Sequence, residues 1–405
     1  MERLVSLLGL FVMIGIAYAL SEKKKAIQWR PVVTGLLLQV VFGLIIMKTT
    51  VGRNFFDTIG KGFNAILAYT GEGSKFLFGG LATPSDSLGF IFATMVLPTI
   101  IFMSALMSVL YHIGIMQKVV ELVAKVMMKV MRTSGAESLA AAANIFVGQT
   151  EAPLVIKPFI GKMTKSEIMS LMTGGMATVA GGVLAAYVGF GVDPAHLLAA
   201  SVMSAPAALV CAKLLLPETE ESVTAGVVKV DLPKNATNTI EAAANGASDG
   251  LRLAVNVAAM LLAFIALIAM LNGILGALGG LVGFPQLSFE LIMGYVNAPI
   301  AWLLGVPWED CFTVGAILGK KLVLNEFVGY LDLIAAKGQL SERATIITTY
   351  ALCGFSNFSS IAIQVGGIGS LAPEKKSVLA AYGLKAMIGG TLACYMTACI
   401  AGLFI

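Results

Sequence analysis

Charge is what this sequence has least of. Of its 405 residues only 12% are Asp, Glu, Lys or Arg, while 58% are hydrophobic. That balance excludes a soluble globular protein and points to an all-α polytopic membrane protein. Histidine is nearly absent: His112 and His196 lie far apart, each flanking an apolar run, and read as interfacial residues. The five cysteines (Cys211, Cys311, Cys353, Cys394, Cys399) lie within or beside apolar runs with no CxxC pair, which argues against a disulfide framework or a metal centre. No HExxH motif occurs, and neither Glu151 nor Glu326 has a histidine near it in sequence, so the chain reads as a non-enzyme. A net charge of +4, carried in short loops, reports topology rather than nucleic-acid binding. What is abundant is glycine (44) and methionine (20), which suits closely packed helices that shift against one another.

The apolar runs set the topology. The first, residues 4–20, is followed by Lys23, Lys24, Lys25 and Arg30, with only Arg3 before it. That is the reverse of a signal peptide, so the run reads as a retained helix with its N-terminus outside. Further spans are expected at 32–48, 89–112, 167–190, 195–216, 251–283, 343–369 and 376–405, making eight transmembrane helices. Residues 54–80, 115–132 and 288–304 read as interfacial helices. Lys118, Lys125, Lys129 and Arg132 place the second of these on the cytoplasmic face. A polar stretch at 217–240 opens a cytoplasmic linker, placed at 217–250. Segments assigned to the inside then hold 17 of the 27 basic residues, and the outer turns at 190–196 and 280–306 hold none.

Two segments break the pattern. Within 136–162, Asn144, Gln149, Thr150 and Glu151 fall at mid-depth, with Gly148 before the cluster and Pro153 and Pro158 after it. A charge at the bilayer centre costs roughly 2.5–3.5 kcal/mol on insertion scales, so such residues face a watered cavity or a ligand. A buried helix end capped by its own side chains would explain one polar residue there, not three in a row. Arg132 precedes the segment and Lys157, Lys162 and Lys165 follow, so both ends lie inside and the segment reads as a re-entrant hairpin. Segment 307–335 repeats the pattern, with Asn325-Glu326 between Gly319 and Gly329. A slide of 175 residues lays Glu151 on Glu326, Ser166-Glu167 on Ser341-Glu342, and the break at 178–183 over 353–358. Three spans separate the hairpins, so the copies have opposite sense: an inverted-topology repeat, the architecture of secondary transporters.

The polar groups indicate what could bind. Gln149, Thr150, Glu151, Glu326, Asn357 and Ser360 suit a neutral ligand rich in hydroxyls and ring nitrogens better than an anion. Lys320 and Lys321 are the exception, close enough in sequence to neutralise Glu326. Asn144 and Thr178, with the carbonyls of Val147 and Val179, supply neutral oxygens of the kind a sodium ion accepts. The competing reading is that Asn144 and Thr178 bond to neighbouring backbone, as such residues in helices often do.

These segments carry a resemblance. GQTEAPLVIKPFI at 148–160, GGMATVAGGVLA at 174–185, LNEFV at 324–328 and CGFSNFSSIAI at 353–363 resemble the concentrative nucleoside transporters, and the similarity to bacterial members runs over essentially the whole chain. It implies a homotrimer in the bacterial inner membrane, each protomer with eight spanning helices, two re-entrant helical hairpins and interfacial helices. It implies sodium-coupled nucleoside import by alternating access, an elevator-like movement against a trimeric scaffold. Residues 1–113 would be N-terminal helices and scaffold, 114–216 a first transport half, 217–250 the linker, 251–304 a long scaffold helix with an outer interfacial helix, and 305–405 a second transport half. Gln149, Thr150 and Glu151 would hold the nucleobase, with Val183, Phe355 and Leu253 packed on it; Glu326, Asn357 and Ser360 would hold the ribose. Sodium would sit at Asn144, Val147, Thr178 and Val179. The family usually has Ser where this chain has Thr178, and the hydroxyl is retained. Bacterial relatives lacking this polar set look proton-coupled, so proton symport is the alternative; an ion channel, since re-entrant hairpins also build pores, fits less well because the polar residues form a compact double cluster.

Overall fold

Among the described residues, 1–83, 89–224 and 236–405 of a computed structural model, every regular element is a helix, apart from isolated bridge residues such as Lys337 and Leu340. That follows from the solvent the composition implies: hydrocarbon offers no partner for backbone N–H and C=O, so each spanning segment must satisfy its own. Seven helices are long and apolar enough to cross a membrane: Glu2–Ala19, Trp29–Lys48, Phe92–His112, Lys165–Gly189, Pro194–Leu215, Thr239–Leu281 and Pro373–Phe404. These match seven of the eight expected spans. The expected span 343–369 is not among them: it is two helices, Glu342–Leu352 and Phe358–Leu371, separated by a longer break than the one between Lys165–Ala177 and Gly181–Gly189. Phe289–Leu304 and Trp308–Val323, expected as an interfacial helix and one hairpin arm, would together count as an eighth, but the chain bends by 117° between them.

The amphipathic stretches are helices at Thr50–Phe78 and Ile115–Met131. The linker expected at 217–250 ends sooner, because Asn238 caps the Glu241 N–H and starts the 43-residue helix Thr239–Leu281 there. Residues 225–235 of that linker lie outside the described residues, as do residues 84–88.

Burial sorts the helices into an interior and a rim. The most apolar windows of Lys165–Gly189 and Pro194–Leu215 are 89% buried, whereas that of Thr239–Leu281 is 17% buried. The rim helix Thr239–Leu281 packs on Leu97–His112 through Gly246 and Gly250, where an added Cβ would meet Ser104, Ala105 and Ser108 at under 3 Å.

Several interior helices start with side-chain caps, which satisfy orphan N–H groups where no water reaches them. Ser134 with Glu137, and Thr164 with Glu167, form capping boxes, while Asn325, Ser341 and Asn357 cap the N–H groups of Val328, Ala344 and Ser360. Buried Lys213 ties two of these starts together, with Nζ 2.7 Å from Glu137 Oε2 and 3.0 Å from Ser166 Oγ.

The caps correct the expected register of the repeat. The N-cap of Lys165–Ala177 is Thr164 rather than Ser166, so Thr164 matches Ser341, and Ala180 matches Asn357; each is a step of 177 residues instead of 175. In this register Gln149, not Glu151, corresponds to Glu326. Thr178 corresponds to Phe355, and the two touch: the Phe355 N–H donates to the Thr178 carbonyl at 3.3 Å. The two helix breaks therefore cross at equivalent points, on the line relating the halves.

Gly354 makes that crossing possible. At φ +157°, an added Cβ would lie 2.8 Å from the Met176 carbonyl oxygen and 2.6 Å from Cys394 Sγ. Gly354→Ala should therefore cost about 1–3 kcal/mol through overpacking and lower the thermal midpoint in detergent. Gly366→Ala, with open space around it, should leave the midpoint equal or higher. Equal midpoints for the two variants would show that the crossing is not tight.

Candidate functional site

The first hairpin is Gly135–Asn144, a turn at 145–151, then Ala152–Val155 and Lys157–Ile160, broken by Pro153 and Pro158. Its turn is pinned to the first helix break, where the Gly181 N–H donates to the Phe146 carbonyl at 3.1 Å. Gly175 lets the Gln149 backbone approach, since a Cβ there would lie 3.2 Å from Gln149 Cα. The second hairpin is Trp308–Val323 and Glu326–Ala335, two helices packed on each other across a two-residue break.

One hydrogen-bonded cluster joins both hairpins. Gln149 Nε2 donates to Ser360 Oγ at 3.1 Å, and Gln149 Oε1 accepts from Gln364 Nε2 at 3.0 Å. Glu326 accepts from Tyr187 OH at 2.9 Å and from Asn357 Nδ2 at 3.0 Å. Asn357 Oδ1 meanwhile caps the Ser360 N–H at 3.0 Å, which closes the chain between Gln149 and Glu326. The arrangement has the symmetry of the repeat. Gln149 corresponds to Glu326, and Gln364 and Tyr187 each lie seven residues past the N-cap of their half-helix. Each hairpin tip thus receives a hydrogen bond from the other repeat's broken helix.

The remaining expected residues fall around this cluster. Thr150 Oγ1 donates to Glu151 Oε1 at 2.9 Å; Glu151 is exposed, whereas Glu326 is buried. Buried Val183 stands one turn before Tyr187, and Phe355 is half-buried at the crossing of the breaks. Leu253 lies on a different element, the rim helix; Ser104 sits between Gly182 and Gly250, which places Leu253 one turn beyond the contact that Val183 adjoins.

Neither lysine pairs with Glu326. Lys320 Nζ lies 2.9 Å from both Glu290 and Asp332, and Lys321 Nζ donates to the Ala351 carbonyl at 2.8 Å.

The set expected for a cation has the chemistry a cation needs. Asn144 is buried, and neither Oδ1 nor Nδ2 has a hydrogen-bond partner. It lies against Gly174, whose added Cβ would be 3.1 Å from Asn144 Nδ2. The Thr178 hydroxyl donates to the Gly174 carbonyl at 2.9 Å, leaving its oxygen free to accept. Among the described residues the carbonyls of Val147 and Val179 accept no hydrogen bond. Four oxygens, on the hairpin turn and on the first helix break, are thus available to a cation.

Tyr187 and Gln364 were missed by sequence reasoning. Gln364 carried a legible signal: Asn357, Ser360 and Gln364 recur at helical spacing on an otherwise apolar helix. Tyr187 carried none, being one more aromatic in an apolar run.

Residues 196–402 match the family profile described as Na+ dependent nucleoside transporter C-terminus, residues 8–81 the corresponding N-terminus, and residues 93–193 a nucleoside recognition profile. The chain belongs to the concentrative nucleoside transporter family. The uncharacterized transporter YutK of Bacillus subtilis is 50% identical, with all of both chains covered. Sodium/nucleoside cotransporter 1 of Mus musculus is 44% identical over 99% of this chain and 64% of its own. The solved structure of CNTnw in an inward-facing substrate-bound state is 46% identical, covers 100% of this chain and 98% of that one, and has a TM-score of 0.95.

If this cluster binds the nucleoside, Tyr187 and Gln364, which hold Glu326 and Gln149, help set its affinity. A hydrogen bond of this kind is worth about 1–1.5 kcal/mol, so Tyr187→Phe and Gln364→Ala should each weaken uridine binding to the purified protein roughly 10-fold. Ser370→Ala, on an exposed residue of the same helix as Gln364, should leave binding unchanged in calorimetry.

Proposed function

We propose that this protein is a sodium-coupled nucleoside symporter of the bacterial inner membrane, working by alternating access. The observation that carries the coupling is the Asn144 side chain, buried with both polar atoms unpartnered beside the unsatisfied carbonyls of Val147 and Val179. A transported sodium ion completes that set, in the manner of broken-helix transporters whose half-helix ends hold the ion. Gln149, Thr150 and Glu151 would bind the nucleobase, with Val183, Phe355 and Leu253 against it. Glu326, Asn357 and Ser360 would bind the ribose hydroxyls, Tyr187 positioning the Glu326 carboxylate and Gln364 the Gln149 amide. Ion and nucleoside are coupled because both sit on one hairpin tip: Asn144 and Gln149 are five residues apart on it.

The moving part comprises both hairpins, both broken helices and their buried neighbours, with 114–216 and 305–405 as its two halves. The rim helices, including Leu97–His112 and Thr239–Leu281, form the scaffold. Small residues at their contact with the broken helix, Gly182 against Ser104, suit a sliding surface. Exposed Leu262, Ile265, Met270 and Ile274 on the long helix meet lipid or further copies in a homotrimer. In this reading the hairpins are re-entrant and enter from opposite faces.

Uptake of labelled uridine into proteoliposomes tests the proposal. A sodium gradient should drive accumulation and Asn144→Ala should abolish its sodium dependence; accumulation driven equally by a proton gradient without sodium would replace this reading with proton symport. Glu326→Gln should abolish uptake more severely than His112→Ala, and equal effects would undercut the ribose assignment.

A further inference from the structure

Lys321 is left over by the site described above. It is fully buried on Trp308–Val323, forms no ion pair among the described residues, and its ammonium donates to the Ala351 carbonyl. No carboxylate touches it, and Glu326 acts on it only through space; a buried charge not in contact with a counter-ion is expensive, several kcal/mol for an ordinary ion in a protein interior. Packing alone would have been served by an apolar residue.

The register of the repeat supplies a role. A step of 177 residues, fixed by the helix caps, carries Asn144 to Lys321 and Gly174 to Ala351. Asn144 lies against Gly174 in the first half, and Lys321 bonds Ala351 in the second. The same step relates Gln149 to Glu326 and Tyr187 to Gln364, whose contacts obey it as well. So the Lys321 ammonium reaches the position in the second half that corresponds to the unsatisfied oxygens in the first.

We infer that Lys321 is a tethered cation, occupying in the second repeat the place that the first repeat leaves open for sodium, so that one sodium ion accompanies each nucleoside. This rests on the reading of the Asn144 set as a sodium site. The electrostatics are the same in both halves. Ala351 and Gly174 lie in the last turn of half-helices that stop at a break, where carbonyls lack intrahelical donors and carry the negative end of the helix dipole. An ion there can leave and so can be coupled to transport. An ammonium on a side chain supplies the charge permanently and cannot. The second half keeps the remnant of a donor set: Ser356, which corresponds to Val179, has a buried hydroxyl without a partner.

The test is equilibrium binding of uridine to the purified detergent-solubilised protein by calorimetry, with sodium chloride varied against choline chloride below sodium saturation. By linkage the slope of log Kd against log sodium counts the ions bound with the nucleoside. The wild type should give a slope of one, uridine affinity falling about 10-fold per 10-fold drop in sodium. Lys321→Asn, which places an amide beside the Ala351 carbonyl and the Ser356 hydroxyl, should raise the slope towards two, about 100-fold per 10-fold drop. Lys321→Gln should do the same and carries the test if the first variant does not purify as a monodisperse protein. A wild-type slope of two overturns the inference without any variant. A slope of one in the wild type and in whichever variants purify overturns it alone, whatever their affinities, because a purely structural lysine would change affinity without changing the ion count. No sodium dependence in the wild type removes the reading of the first site, and this inference with it.

Discussion

The contact on which the structure depends is the crossing of two helix breaks, where the Phe355 N–H meets the Thr178 carbonyl and Gly354 admits the Met176 backbone. A broken helix inside a membrane protein exposes backbone polar groups that lipid cannot satisfy. Here each break partly satisfies the other, and Cys394 Sγ donates to the carbonyls of both Ala177 and Cys353.

From that crossing the symmetry of the site follows. A two-fold relation about the breaks brings each hairpin tip onto the other repeat's half-helix, so Gln149 is held by Ser360 and Gln364, and Glu326 by Asn357 and Tyr187. The chemistry at equivalent places then differs. An amide, Gln149, stands at one hairpin tip and a carboxylate, Glu326, at the other. The same divergence gives Asn144 without partners in one half and Lys321 on a carbonyl in the other. Repeats of this kind supply geometry twice and leave substitutions to make the two copies do different work.

Much of this was legible before any coordinates. The apolar runs located six of the seven long helices within a few residues, because hydrophobic length and charge asymmetry are one-dimensional properties of a chain in a bilayer. The two odd segments announced themselves by carrying Glu151 and Glu326 where charge is costly. The register of the repeat was misread by two residues, since Ser166-Glu167 looks like a helix start while Thr164 does the capping. Two carboxylates at a spacing of 175 are an easy match to see, and the equivalence of an amide with a carboxylate is not. The long helix was likewise begun late, because the segment from Thr239 is polar and only its Asn238 cap marks the start.

By itself, then, the sequence determined the class of protein, the positions of the spans, and the residue types available to bind a neutral polar ligand and a cation. Those follow from local composition, which a bilayer reads residue by residue. Only the tertiary structure decided which polar groups meet and which are left without partners. It took Lys320 to Glu290 and Asp332, Lys321 to a helix end, and brought Tyr187 to Glu326 from 139 residues away. Hydrogen bonds are satisfied in space, across a symmetry that the chain order hides, so the pairing had to wait for the fold.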